Sequence, residues 1–309
     1  MKWTLVCLLA AVCAAQTTFR SDVRLVNLAV TVKDGAGRLV EDLSQDDFEV
    51  AEDGVPQKIA LFARSNDLPL NLGLVVDISG SQAAFLRAHQ RDLRAFLDKA
   101  LGQRDRAFLE CFAADPRLVV DYTSSSRKLV DGLEGYLAAP GKRAYPLLGK
   151  PVQRAPNGGT AFYDAIYHAA NQMFQKVERG RKALIVFSDA EDNDSVHHLN
   201  ETVEMAQSND DLIFAIGYNE TVRGVWNSRH QHGRSVMERF ARETGGADFD
   251  ASQQDVSSHF SEIAEQLRSS YEVAYHSSNP PEDRTFHNVA VRVKRPGFVA
   301  RAKTGYYAK

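Results

Sequence analysis

Asp77, Ser79 and Ser81 stand at alternate positions just after an apolar run, residues 72–76, in the stretch "LNLGLVVDISGSQ". Oxygen-bearing side chains at this spacing admit two chemistries. Ser79 or Ser81 can cap the helix that follows, with Asp77 closing a turn. The same oxygens can hold a hard cation, which prefers oxygen donors. The local pattern does not choose between them. Two more polar points have a similar setting. Thr160, in "NGGTAFYDA", follows two glycines that let the backbone turn tightly. Asp189 follows the apolar run "ALIVFS".

The elements that must position these residues can be read from the patterning. From Leu70 to about residue 270, strand-like apolar runs alternate with amphipathic helical stretches. Helices are expected over 82–101, 125–138, 160–178, 195–208, "VMERFARETGG" and 255–270. Such alternation predicts a doubly wound, mostly parallel sheet with helices on both faces. The runs "LGLVV", "ALIVF" and "LIFAI" fit its buried centre. Ligands of such sheets gather at the carboxyl ends of the strands, near the point where strand order reverses. Asp77, Ser79, Ser81, Thr160 and Asp189 all map to that edge, which favours the cation reading.

The two ends of the chain read differently. Residues 16–68 and 272–309 are rich in β-branched residues, alternation and turns, with Asp53-Gly54 as a hairpin signal. Together they are near the size of an immunoglobulin-like sandwich. The expected architecture is one β-sandwich built from both ends, with an α/β domain over 69–271 inserted between them.

"MKWTLVCLLAAVCAAQ" has the layout of a secretory signal peptide: Lys2, an apolar run, then small residues. The predicted mature chain begins after Ala15, and its destination is secreted or periplasmic. Lipidation of Cys13 is the less favoured reading, because Val12 precedes it. Removal of 1–15 leaves Cys111 as the one thiol, so no internal disulfide is expected. A net charge of −3 with no basic stripe points away from nucleic acid and anionic membranes. No later stretch is long and apolar enough to span a bilayer.

"DISGS", "GGT" and "FSDAEDN", in this order, resemble the three metal-site loops of the von Willebrand factor A (vWA) domain. The resemblance covers about residues 70–270. The flanks, with "LSQDDFEVAEDGVPQKI" and "RAKTGYY", resemble secreted bacterial vWA-related proteins of the acidobacterial type. The family's metal-ion-dependent adhesion site implies Mg²⁺ or Mn²⁺ held directly by the Ser79 and Ser81 hydroxyls. Thr160 would bind directly or through water, and Asp77 and Asp189 mostly through waters. Neutral inner ligands leave the ion attractive to an outside carboxylate, so the implied partner is a protein offering Asp or Glu. Ala190 departs from the Gly often found after the third-loop Asp, and Gln82 from a frequent Met.

Other features are weaker. Glu191, Asp192 and Asp194 read as a solvated loop or a second cation site. Asp164 reads as a surface acid or a support for the Thr160 loop. His197, His198, His230 and His232 read as exposed loop histidines rather than zinc ligands. The sequons at Asn200 and Asn219 matter only in a glycosylating host. Partner recognition is expected from the long loop 218–234, with Arg223, Trp226 and Arg229, or from the proline-rich loop 140–157, with Tyr145. No hydrolase elbow or nucleotide loop is present. A metal-dependent phosphatase would need a second Asp where Ser79 stands. The chain therefore reads as a binding module and not an enzyme, the alternative being an envelope-assembly component with a degenerate metal site.

Overall fold

A computed structural model describes residues 25–64, 68–139, 145–150, 159–177, 179–218, 228–251, 256–279 and 285–308. The N-terminal strands are β1 (Leu25–Lys33), β2 (Phe48–Glu52), β3 (Val55–Gln57) and β4 (Ile59–Arg64). The α/β unit runs from β5 (Leu70–Asp77) through α1 (Leu86–Ala100), β6 (Arg106–Phe112), β7 (Arg117–Thr123), α2 (Ser126–Ala138) and α3 (Phe162–His168). It continues with β8 (Arg181–Ser188), α4 (Leu199–Ser208), β9 (Asp211–Gly217), α5 (Ser228–Thr244), β10 (Asp248–Asp250) and α6 (Val256–Arg268). The chain closes with β11 (Tyr271–His276), β12 (Phe286–Val293), β13 (Val299–Arg301) and β14 (Gly305–Tyr307). Among the described residues, no helix is long and apolar enough to cross a membrane.

The central sheet has the order β10-β9-β8-β5-β6-β7. All its neighbours are parallel except β7, an antiparallel edge. Every residue of β5 is buried, as its unbroken apolar run requires. One face packs on α1, α2 and α6 through Leu93, Leu129 and Phe260. The other packs on α3, α4 and α5 through Phe162, Val203 and Phe240. Gly73 marks the tightest point of β5. A Cβ there would come within 2.5 Å of both Leu184 and Phe108 side chains. Strand order reverses between β5 and β8, so their carboxyl ends lie side by side at the switch point.

Strands from both chain ends form two further sheets, β13-β1-β11-β4 and β14-β12-β2-β3. They share a core of Leu28, Val30, Val50, Tyr271 and Tyr275, which makes a sandwich. The β2–β3 turn uses Asp53 at φ 50° and Gly54 at φ 81°, as a two-residue hairpin demands. The next strand, β4, joins the opposite sheet. The sandwich is bolted to the α/β unit. Buried Arg181 donates to Leu267 O at 2.7 Å, to Ser270 Oγ, and to Glu272 Oε1 at 2.5 Å. Lys303 pairs with Asp210, and Arg301 donates to Gly246 O at 2.9 Å.

Four helices differ from expectation. α1 starts at Leu86 rather than 82, after a separate short turn, Gly80–Gln82. The stretch 160–178 is α-helical only through His168, then passes into a wider π turn, Ala169–Met173. Asn209 Nδ2 takes the Ala170 carbonyl at 3.0 Å, and such diversion of a ladder acceptor accompanies local unwinding. α4 starts at Leu199, because residues 195–197 are used elsewhere. α5 starts at Ser228, before the first apolar position.

Two outcomes follow. Removing residues 271–308 deletes the strands that flank β1 and one of the two partners of β2, β12. Hydrogen exchange should then show loss of amide protection throughout β1 and β2. Separately, Glu110 is fully buried in β6, neither carboxylate oxygen has a hydrogen-bond partner among the described residues, and burial pushes its pKa well above the usual range. The folded state therefore keeps a proton that the unfolded chain releases. Stability from this group is full below the unfolded pKa and declines as pH rises towards the folded one. Glu110→Gln should gain stability relative to the parent as pH rises from 5 to 8, read by urea unfolding.

Candidate functional site

The carboxyl edge of β5 and β8 carries the site. Val76 is in register with Phe187, which sets Asp77 beside Ser188. Ser188 Oγ donates to Asp77 Oδ2 at 2.6 Å, and the Ser79 amide donates to Asp77 Oδ1 at 2.8 Å. Asp77 is fully buried. Burial pushes its carboxyl up to about 7; hydrogen bonds from Ser188 and Ser79 pull the other way, and the Asp189 charge adds to the push. The Ser79 and Ser81 hydroxyls lie 3.2 Å apart. Ser79 is buried and Ser81 is exposed. Ser79 stands at the start of a short helical turn, yet its side chain makes no cap hydrogen bond. The capping reading of these serines therefore fails.

Asp189 is buried as well. Gln82 Nε2 donates to its Oδ2 at 2.8 Å and to Tyr218 O at 3.1 Å. The Glu191 amide donates to Asp189 Oδ1 at 3.0 Å. Gln82 thus clamps the third loop to the first. Ala190 sits at φ 56°, the left-handed region where a Cβ is costly and glycine is favoured. Its amide donates to Ser188 Oγ at 2.9 Å. A Cβ on Gly233 of α5 would fall 2.1 Å from Asp189 O, so that helix presses directly on this loop.

Thr160 is tied to both neighbours. Its amide donates to Asn193 Oδ1 at 2.8 Å, and its carbonyl accepts from the Asn193 amide at 3.1 Å. The next amide, Ala161, donates to Ala113 O after β6 at 2.8 Å. Hydrogen bonds thus join the Thr160 loop to the Asp189 loop. A Cβ at Gly159 would strike Asp194 Cβ at 2.5 Å; no larger residue fits there.

The segment after Asp189 is neither a solvated acidic loop nor a second cation cluster. Asp192 Oδ1 accepts from the Phe162 and Tyr163 amides at 2.9 and 3.3 Å and thereby caps α3. Asp164 is not a surface acid. It is buried, and Oδ1 accepts from the Val196 amide at 3.1 Å, the His197 amide at 2.9 Å and His197 Nδ1 at 2.7 Å. His197 stacks on Tyr167 at 3.7 Å, so it is not an exposed loop histidine. Sequence reasoning missed Ser188, and it noted Gln82 and Asp192 without their roles as loop clamp and helix cap; the position of Ser188 at a strand end could have pointed to it.

The recognition loops fare differently. Residues 228–234 belong to α5, so the loop 218–234 is shorter than read. Arg223 and Trp226 lie outside the described residues, as do 140–144 and 151–157 of the proline-rich loop and the N-terminal segment with Cys13. Tyr145 is half-buried and packs its ring edge-on against Tyr136 at 5.0 Å.

Chemically, the edge gathers two buried carboxylates, hydroxyl oxygens and strand-end amides. Among the described residues, no Lys or Arg bonds Asp77 or Asp189. A small divalent cation would supply the missing positive charge, and the all-oxygen donor set suits Mg²⁺ or Mn²⁺.

Comparison with family models and with curated proteins finds no match. Among solved structures, a von Willebrand factor type A protein from Catenulispora acidiphila aligns over 94% of this chain and 74% of its own, at 12% identity and TM-score 0.49. An aerotolerance-related membrane protein from Bacteroides fragilis aligns over 64% and 98%, at 18% identity and TM-score 0.48. Proximal thread matrix protein 1 from the mussel byssus, with a zinc-occupied MIDAS motif, aligns over 70% and 50%, at 13% identity and TM-score 0.47.

Asp164→Ala should destabilise the fold by about 2 kcal/mol, since it strands amides that are partly buried. It should also raise hydrogen exchange at Val196 and His197, read residue by residue by NMR.

Proposed function

From a vWA-type α/β fold with its three loops joined at the switch point, we propose that this protein is a divalent-metal-dependent binding module of adhesion or assembly type. Its partner is a protein that offers an Asp or Glu carboxylate. The observation that carries this reading is the pair of buried carboxylates, Asp77 and Asp189, on adjacent strand ends beside the Ser79 and Ser81 hydroxyls. Buried charge of one sign without a basic partner is costly and calls for a counter-cation.

Ser79, Ser81 and Thr160 would hold the ion, with Asp77 and Asp189 acting mostly through waters. A bound Mg²⁺ or Mn²⁺ supplies an electrophilic point that accepts one more oxygen. Asp77 anchors the first loop by accepting the Ser79 amide, and Ser188 fixes that carboxylate in turn. Gln82 holds Asp189 against the same loop. Exposed Ser81 leaves the site open on one side, where a partner carboxylate can complete the shell. The role read here is binding of a partner rather than turnover of a substrate. The signal-like N-terminus supports a secreted or periplasmic setting.

Calorimetry with Mg²⁺ or Mn²⁺ should show one strong oxygen-donor site in the parent. Asp77→Ala should weaken it by roughly tenfold or more, the usual cost of losing a group that orients ligands. Unchanged affinity in a folded Asp77→Ala protein would sink the assignment.

A further inference from the structure

A second cluster of ligand-type side chains lies in the sandwich, at the β2–β3 turn. Glu52 ends β2 and is fully buried. Its Oε1 accepts from Ser277 Oγ at 2.6 Å and Asn279 Nδ2 at 2.6 Å, while Oε2 has no hydrogen-bond partner among the described residues. Asp53, next in the turn, places Oδ2 2.7 Å from His287 Nδ1. His287, on β12, is buried, and its Nδ1 is 3.9 Å from Glu52 Oε1. Ligand atoms of Glu52, Asp53 and His287 all lie within 4.8 Å of one another. Burial, first, and the neighbouring Glu52 push the Tyr275 hydroxyl far up.

The hydrogen bonds here do not close. Asn279 Nδ2 lies 2.6 Å from Glu52 Oε1, 3.1 Å from Asp53 Oδ2 and 3.0 Å from His287 Nδ1. An imidazole nitrogen cannot both donate to Asp53 and accept from Asn279. Turning the amide over satisfies His287 but sets the amide oxygen against two carboxylates. Either orientation of the amide leaves a conflict. A cation removes it: with the amide turned, Glu52, Asp53, Asn279 and His287 all present acceptors to one point. Asp53 is exposed, which gives an ion a route from solvent.

We propose that Glu52, Asp53 and His287, with the Asn279 amide oxygen, form a second divalent-cation site of the imidazole–carboxylate type that takes Zn²⁺. One imidazole with carboxylates is a zinc donor set, whereas Ca²⁺ and Mg²⁺ favour oxygen alone. The ion would join the β2–β3 turn to Asn279 and to His287 on β12, and so clasp strands from the two ends of the chain. This site is independent of the one built on Asp77.

The test uses full-length protein carrying Asp77→Ala, which weakens the first site, with Mg²⁺ in excess to occupy what remains of it, Co²⁺ as a visible probe and Zn²⁺ as competitor. One equivalent of Co²⁺ should bind with an imidazole-type absorption band, be displaced by Zn²⁺, and raise the melting temperature. His287→Gln and the isosteric Glu52→Gln should each weaken binding by roughly tenfold or more. His197→Gln, in the Asp164–His168–His197 cluster, should leave it unchanged. Absence of Co²⁺ binding in the Asp77→Ala protein overturns the proposal. So does binding that survives in folded His287→Gln, or that vanishes in His197→Gln. If Glu52→Gln fails to fold, the His287→Gln protein decides alone.

Discussion

The buried carboxylate of Asp77 is the constraint around which the α/β unit is organised. Strand β5 is buried along its length and closed on both faces, and its last residue is a carboxylic acid. Such a group survives only where donors converge on it. Ser188 and the Ser79 amide provide them, and each fixes a different loop. The parallel register of β5 and β8 is what brings Ser188 within reach. Sheet order, loop shape and ligand geometry thus share one cause.

Support for the second carboxylate comes from farther away. Asp189 is clamped by Gln82, whose amide also holds Tyr218 after β9. Tyr218 in turn donates to Asp92 at 2.8 Å, which carries the contact onto α1. Asp192, Asn193 and Asp164 stitch the following segment to α3. Ala190 keeps a backbone conformation that suits glycine. Strain of about 1–2 kcal/mol there is held in place by this surrounding network.

Much of this was legible beforehand. Unbroken apolar runs mark β5, β8 and β9 as central strands, and polar residues at their ends mark the edge where a site belongs. Ser79, Ser81, Thr160 and Asp189 stand in short local motifs, which sequence displays well. The clamps do not. Gln82 reaches Asp189 across the fold, and nothing in either local stretch announces the pairing. The "SRHQHGR" half of α5 reads as loop because His, Ser and Gly are modest helix formers. Its helix forms against the third loop, where Gly233 permits close approach. Sequence leaves Asp164 open between a surface acid and a loop support because its partners, the Val196 and His197 amides, are backbone groups with no sequence signature.

The two-ended sandwich also fixes an order of events during folding. β1 pairs with β11 and β13, and β2 pairs with β12, so most pairings of the N-terminal strands must wait for the last part of the chain. The α/β unit between them has its partners close at hand and can condense first. Once condensed, it draws Arg64 and Tyr271, which are neighbours in the sheet register, towards each other. That removes most of the loop-closure entropy that so long a separation would impose. Until then β1, rich in Val and Leu, is an open edge during synthesis, the kind of surface on which nascent chains aggregate unless a chaperone holds them.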